Sequence, residues 1–340
     1  MPIDIHAHYV PPRILDELRD RGRDYGIAVM DGAAACPCLK FDHGLQARPF
    51  FPRLLEDEDK RIAMLDATGI DRQVLSLWAD IFGYGLPDEK SRVWHRLLNE
   101  SLSATAARHP GRFSWFASGP MCNAADAARE LERAVRELGA AGGMVAANVE
   151  GENLGNLPLD EYWAAAQALG VPVFIHPAQP EPLSRTKRFG LNPIVQYVFD
   201  TTLTLGSLMF SGVLDRFPKL ELVVSHGGGA LPYLVGRFDV MHERMDRAHQ
   251  GDVAQYAPSD YLRRFHYDTI LHDAAALRYL AAKVGTDRMV LGSDDPFPPM
   301  DGDPLASLKQ AQFSPANIAR IADDNPRRLL RLSRCCGITE

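Results

Sequence analysis

The chain has 340 residues, 46% of them hydrophobic, and a formal net charge of −7 with basic and acidic residues mixed throughout. That is enough apolar chain for a large core in one or two domains, and the mixed, mildly acidic balance argues against nucleic acid or an anionic membrane as the main partner. No apolar run reaches the ~18–20 residues that span a bilayer, and the start has no basic-then-apolar signal pattern, so a cytoplasmic protein is expected.

Residues Met1 to His8 read as a short buried strand, carried by Ile3 and Ile5, that runs straight into His6-Ala7-His8. Alternate strand side chains share a face, so the two imidazoles point the same way at a spacing that lets them grip one metal ion. Taken alone, the pair reads better as surface histidines near a terminus. An amphipathic piece surrounds 14–18. From about 22 to 52 the sequence is irregular but neither Ser/Gly-rich nor charged, which fits a small inserted lobe better than a linker. Cys36-Pro37-Cys38 lies there; without a second pair at zinc-ribbon spacing it reads as reduced and structural. The odd total of five cysteines, with Cys122, Cys335 and Cys336, is no secreted disulfide framework.

Helical periodicity starts near 56, runs to 67 and is stopped by Gly69; 70–78 follows as a buried strand. The pattern repeats with helices at about 89–108, 124–138 and 159–169. Strands follow them at 113–117, 144–148 and 171–175, the last ending in His176-Pro177. Helical stretches at 193–210 and 213–217 lead to a strand at 220–225 that ends in His226-Gly227-Gly228-Gly229. A helix at 231–247, a strand at 266–271 and a helix at 274–284 precede the last strand, 289–291. That strand ends in Gly292-Ser293-Asp294-Asp295-Pro296. Helices near 304–312 and 314–332 close the chain, the second broken at Asn325-Pro326.

Eight short apolar strands alternating with helices imply parallel pairing buried on both faces. Over this length one (β/α)8 barrel spanning 1–340 fits better than an open sheet, with the inserted lobe after strand 1 and the C-terminal helices appended. A barrel gathers the carboxyl ends of its strands at one mouth, and His6, His8, His176, His226 and Asp294 all fall at such ends. Singly each has a bland explanation, a bonded core histidine or an Asp-Pro turn cap; together they read as a metal site. His6, His8, His176 and Asp294 make a three-nitrogen, one-carboxylate set suited to Zn²⁺, with Mn²⁺ or Fe²⁺ as alternatives. Strand 4 ends without a lysine to bridge a second metal, so the site reads as mononuclear. His226 is then free as an acid/base, and the three glycines after it let substrate approach the backbone.

The segments Asp4-Ile5-His6-Ala7-His8, Asp66-Ala67-Thr68-Gly69-Ile70-Asp71, Phe82-Gly83-Tyr84, Ile175-His176-Pro177, His226 to Gly229, Gly236-Arg237 and Gly292-Ser293-Asp294 with Pro296-Phe297-Pro298 carry a resemblance. The chain resembles the amidohydrolase superfamily, in its decarboxylase branch of carboxymuconate-semialdehyde and ortho-hydroxybenzoate decarboxylases. The resemblance implies Zn²⁺ on His6, His8, His176 and Asp294, His226 as catalytic acid/base, and no organic cofactor. It implies that Arg237 binds a substrate carboxylate, reaching into a neighbouring subunit of a homodimer. A second family arginine corresponds to Arg48, with Arg53 as the alternative. Phe189 stands where the family has a substrate-facing tryptophan, and Trp78 and Phe297 are expected to line the pocket. Asp295 departs from the family's aromatic or histidine after the metal aspartate, and as a second carboxylate it bears on ligand, water or neighbouring pKa values.

The expected function is metal-dependent decarboxylation of a small unsaturated or aromatic acid. A hydrolase or hydratase using the same site is the alternative enzyme, and a non-catalytic metal-binding scaffold is the reading that His226 argues against.

Overall fold

A computed structural model describes residues 1–31, 36–178 and 183–333; Cys335 and Cys336 lie outside them. Eight strands, β1 (Ile3–His8), β2 (Arg72–Ser76), β3 (Phe113–Ala117), β4 (Gly142–Ala146), β5 (Val173–His176), β6 (Leu222–Val224), β7 (Phe265–Asp268) and β8 (Met289–Val290), pair in chain order. Every recorded pairing between them is parallel. The ring closes where the Ile5 N–H donates to the Leu291 carbonyl at 2.9 Å and Ala7 bridges Asp295. This is the (β/α)8 barrel expected from the alternation of short apolar strands with helices.

Seven of the strands are buried at every position and β2 at all but its first, so side chains fill both faces and the barrel interior is core. The principal helices are α1 (Arg13–Tyr25), α2 (Glu58–Thr68), α3 (Asp88–Arg108), α4 (Ala124–Glu137), α5 (Asp160–Leu169), α6 (Tyr197–Phe210), α7 (Leu231–Arg244) and α8 (Ala274–Val284). Their ends obey local chemistry. Asp57, Asn123 and Asp273 cap α2, α4 and α8 by accepting from backbone N–H groups, and Gly69 ends α2 in a left-handed conformation. No helix among the described residues is long and apolar enough to cross a membrane.

The segment read as irregular contains a hairpin. Ile27–Asp31 runs antiparallel to Pro37–Phe41, and Leu39 and Phe41 point into the core. A Cβ on Gly83 would stand 2.4 Å from the Phe41 ring, so that position admits no side chain. The closing helix expected over 314–332 is three short pieces, Pro315–Ala319, a π turn at Arg320–Asp324, and Asn325–Leu329. Asn325-Pro326 starts the last piece, with proline in the first turn where its missing N–H costs nothing. The Asn325 amide meanwhile donates to the carbonyls of Thr286 and Met289.

Arg61 of α2 is the main polar tie across the barrel seam. Buried in the core, it donates to Gln73 (2.7 Å), the Asp295 carboxylate (2.6 Å) and the His8 carbonyl (2.9 Å), and lies over the Tyr9 ring. Arg61→Met would strand part of the Asp295 charge in the interior; a loss of about 3–5 kcal/mol in urea unfolding is expected. His95 of α3 gives a pH signature. Burial pushes it down to about 3, so between that value and about 6.5 the unfolded chain binds a proton that the folded chain does not. Its contribution to stability is full above about 6.5 and is lost as pH falls towards 3. Unfolding free energies measured across that window should fall less steeply with acid in His95→Gln than in the parent protein.

Candidate metal centre and active site

Five side chains from four strand ends meet at the carboxyl mouth of the barrel. Donor atoms of His6, His176, His226 and Asp294 all lie within 4.8 Å of one another. His8 adjoins them, its Nε2 3.1 Å from that of His6 and 3.4 Å from Asp294 Oδ1. The histidines differ in what holds the far side of the ring. Nδ1 of His6 faces Asp268 at 2.6 Å, that of His8 the Leu77 carbonyl at 3.0 Å, and that of His176 the Pro177 carbonyl at 2.8 Å. Those acceptors take an Nδ1 proton and turn each bare Nε2 toward the common point, the arrangement expected of ligating histidines.

The donor set fits a divalent cation. Two imidazole nitrogens at 3.1 Å need a proton or a cation between them, and His176 Nε2 and Asp294 Oδ1 are buried without a hydrogen-bond partner. Burial opposes a charge on His6, but the carboxylates of Asp294 and Asp268 outweigh it and raise His6 to about 10. Burial would push Asp294 up, yet His6 and its neighbours hold it well below the usual carboxylate range. Burial keeps His8 and His176 low, and therefore neutral and available as ligands.

His226 is built differently. Its Nε2 stands 3.3 Å from Asp294 Oδ2, while its buried Nδ1 has no partner. Its backbone takes a left-handed φ of 53°, as does Asp294 at 61°, conformations that non-glycine residues hold only where the surroundings impose them. The three glycines that follow serve packing more than substrate access. A Cβ on Gly227 would strike Leu271, one on Gly228 the Tyr267 ring, and one on Gly229 the Val198 carbonyl; of the three only Gly229 lines the cavity.

Above the cluster opens a cavity of about 610 Å³, with His176, His226 and Asp294 at one end and Trp78, Phe297, Phe51, Ile194 and Leu271 among its walls. Arg48 also lines it, donating to Asp80 at 2.7 Å and to the Tyr197 hydroxyl at 2.5 Å. The other candidates lie elsewhere. Arg53 pairs with Asp295 and Glu56. Arg237 is exposed on α7, in a separate groove with Phe210, Phe238 and Met241. Phe189 is 79% exposed, its ring under the Arg188 guanidinium, and does not line the cavity. Asp295 is buried between Arg61 and Arg53, so its carboxylate is taken up by structure rather than turned to a ligand.

A family model for amidohydrolases matches residues 3–332. The chain belongs to the amidohydrolase family. This amidohydrolase is 30% identical over 299 residues to 2-amino-3-carboxymuconate-6-semialdehyde decarboxylase of Dictyostelium discoideum, covering 88% of this chain and 82% of the relative. Among solved structures, 5-carboxyvanillate decarboxylase from Sphingomonas paucimobilis superposes with a TM-score of 0.81 at 25% identity, over 98% of this chain and 99% of that one. A dihydroxybenzoic acid decarboxylase from Polaromonas sp. JS666, solved with bound manganese and the inhibitor 2-nitroresorcinol, gives a TM-score of 0.76 at 24% identity. That match spans 100% of this chain and 99% of the other.

Sequence reasoning passed over Asp268, Asp80 and Tyr197. Asp268 ends β7, where the strand-end rule would have found it, but a strand drawn to 271 places it mid-strand. Asp80 and Tyr197 carry no motif, and only the fold brings them to Arg48. Because Asp268 holds His6, Asp268→Asn should weaken divalent-metal affinity roughly 10–100-fold, measured by competition against a chelator.

Proposed function

We propose that this amidohydrolase is a metal-dependent decarboxylase of a small aromatic or conjugated carboxylic acid. The observation that carries the reading is the division of labour at the barrel mouth. Three histidines anchored at Nδ1 and one carboxylate face a common point, and a fourth histidine without such an anchor stands beside them at the floor of an apolar cavity. We assign the metal to His6, His8, His176 and Asp294, with Zn²⁺ first and Mn²⁺ or Fe²⁺ next by donor type. A divalent cation bound there supplies Lewis acidity at the cavity floor.

In this reading Trp78, Phe51 and Phe297 sandwich the planar acid and exclude water, which keeps its carboxylate poorly solvated. His226 delivers a proton from Nε2 to the carbon that bears the carboxylate. The bond from that carbon to the carboxylate then breaks, its electron pair returns to the conjugated system, and CO2 leaves. Arg48, held by Asp80 and Tyr197, forms the polar side of the chamber.

Arg237 enters only as a residue donated to a second copy, since it lies outside its own chain's cavity. Exposed Tyr233 and Met241 on α7, with Phe199 and Leu203 on α6, give that homodimer an apolar face. Asp295, held between Arg53 and Arg61, lends a hydrolytic reaction no second carboxylate at the ligand.

The test is mass spectrometry of products after metal-loaded protein meets two panels, one of carboxymuconate semialdehydes and ortho-hydroxybenzoates, the other of lactones, esters and amides. Loss of CO2 from the first is expected; gain of water confined to the second would replace this reading with hydrolysis. His226→Ala should keep its metal and lose turnover by about 10²–10⁴-fold, the usual worth of a general acid. Unchanged turnover would remove His226 from the chemistry.

A further inference from the structure

Tyr197 lines the same cavity as His176, His226 and Asp294, at the start of α6 and directly after a π turn over Asn192–Gln196. Such turns are rare and are found frequently at functional sites. A phenol both donates and accepts, whereas a guanidinium only donates. In the 2.5 Å contact between them Arg48 is therefore the donor and the Tyr197 oxygen the acceptor. The phenol's own proton is directed away from Arg48, and among the described residues it meets no acceptor. Burial, and after it the Asp80 carboxylate, holds this phenol well above its usual range, so the proton stays on it. A cationic donor on the oxygen also polarises the O–H bond and strengthens it as a donor. Arg48 is itself fixed, by Asp80 at 2.7 Å and between the Trp78 and Tyr197 rings at 5.5 and 5.9 Å, so the phenol oxygen has one place to be.

Resting on the decarboxylase reading of the same site, we propose that Tyr197 donates a hydrogen bond to a substrate oxygen other than the departing carboxylate. It thereby selects acids that carry a hydroxyl, ether or carbonyl oxygen on the side facing Arg48. When the aromatic walls close on a planar acid and exclude water, a donor left unpaired costs free energy, and an acceptor oxygen placed against it removes that cost. A methylene group of the same size leaves the donor unpaired. The selection is for an acceptor in particular, because Arg48 has none to offer and the phenol oxygen is already engaged. The inference concerns a hydrogen bond rather than a charge balance, and it holds with or without a second copy's Arg237 at the cavity.

The matched probes are the monomethoxy isomers of 2-hydroxybenzoate and the corresponding monoethyl isomers, similar in size but with and without the acceptor oxygen, given to full-length metal-loaded protein. For at least one isomer, kcat/KM should favour the methoxy acid over its ethyl partner by about fivefold or more, the worth of one hydrogen bond. Tyr197→Phe should bring that pair within about twofold by impairing the methoxy acid alone. Comparing the ratio between parent and variant cancels the substituent's electronic effect on the ring. Should Tyr197→Phe fail to fold, Tyr197→Met, equally without a donor, takes its place. A residue that merely held Arg48 would, on removal, impair both members of a pair alike and leave the ratio where it was. If no acid loses CO2, the decarboxylase reading fails separately, and calorimetric dissociation constants for the same pairs supply the ratio. Absence of any methoxy preference in the parent protein, a preference that survives Tyr197→Phe, or an equal loss for both members of the pair overturns the proposal.

Discussion

One buried carboxylate joins the two halves of the candidate site. Asp268, at the end of β7, takes the Nδ1 side of His6 through one oxygen and accepts the backbone N–H groups of His226 and Gly227 at 2.8 Å each. The same group therefore aims a metal-facing nitrogen and pins the turn that carries the proposed acid. With these groups and the Ile270 N–H (3.2 Å) converging on it in the interior, the carboxylate has exchanged water for fixed dipoles, and this permits full burial. The left-handed backbone at His226 is tolerable for the same reason: two strong backbone hydrogen bonds offset a conformation that the side chain alone disfavours.

Charge pairing decides which ionic groups take part in chemistry and which serve the scaffold. Asp294 and Asp295 are adjacent and both buried, yet their roles diverge because their partners do. Asp294 is surrounded by imidazoles, those of His6 and His8 held elsewhere at Nδ1, so its charge is available to a cation. Asp295 faces two guanidiniums, and its carbonyl accepts from His8 N–H to close the barrel ring. Asp4, pushed up to about 6 by burial, receives Gln73 and Ser293 and ties β1 to the loop after β8. The seam between β8 and β1, where the last strand has only two residues, is thus held largely by polar side chains.

The barrel was legible because its strands are short, apolar on both faces and separated by helices with ordinary caps. The strand-end histidines and Asp294 followed from that frame, since parallel barrels bring carboxyl ends together whatever the sequence distance. The hairpin at Ile27–Asp31 and Pro37–Phe41 was not legible. Its apolar residues alternate weakly among Gly, Pro and Cys, and its register is fixed by Phe41 packing where Gly83 leaves room. Arg48 was read from the family resemblance, but its pairing with Asp80, 32 residues away on a different loop, is a property of the folded chain. The glycines after His226 were read as leaving room for substrate, but the room their missing side chains leave is taken up by Leu271, Tyr267 and Val198.

The distinction between ligand and acid rests on second partners more than on position. All four histidines sit at strand ends within a few ångströms of one another, and residue type alone does not sort them. A ring with its Nδ1–H donated to a carbonyl or carboxylate has one tautomer and one direction, which favours a fixed metal contact at Nε2. A ring with Nδ1 unengaged is not fixed in that way. By that criterion His6, His8 and His176 belong to one group and His226 to the other. Asp268 bonds to the backbone of His226 rather than to its ring, so it positions the proposed acid without engaging the imidazole.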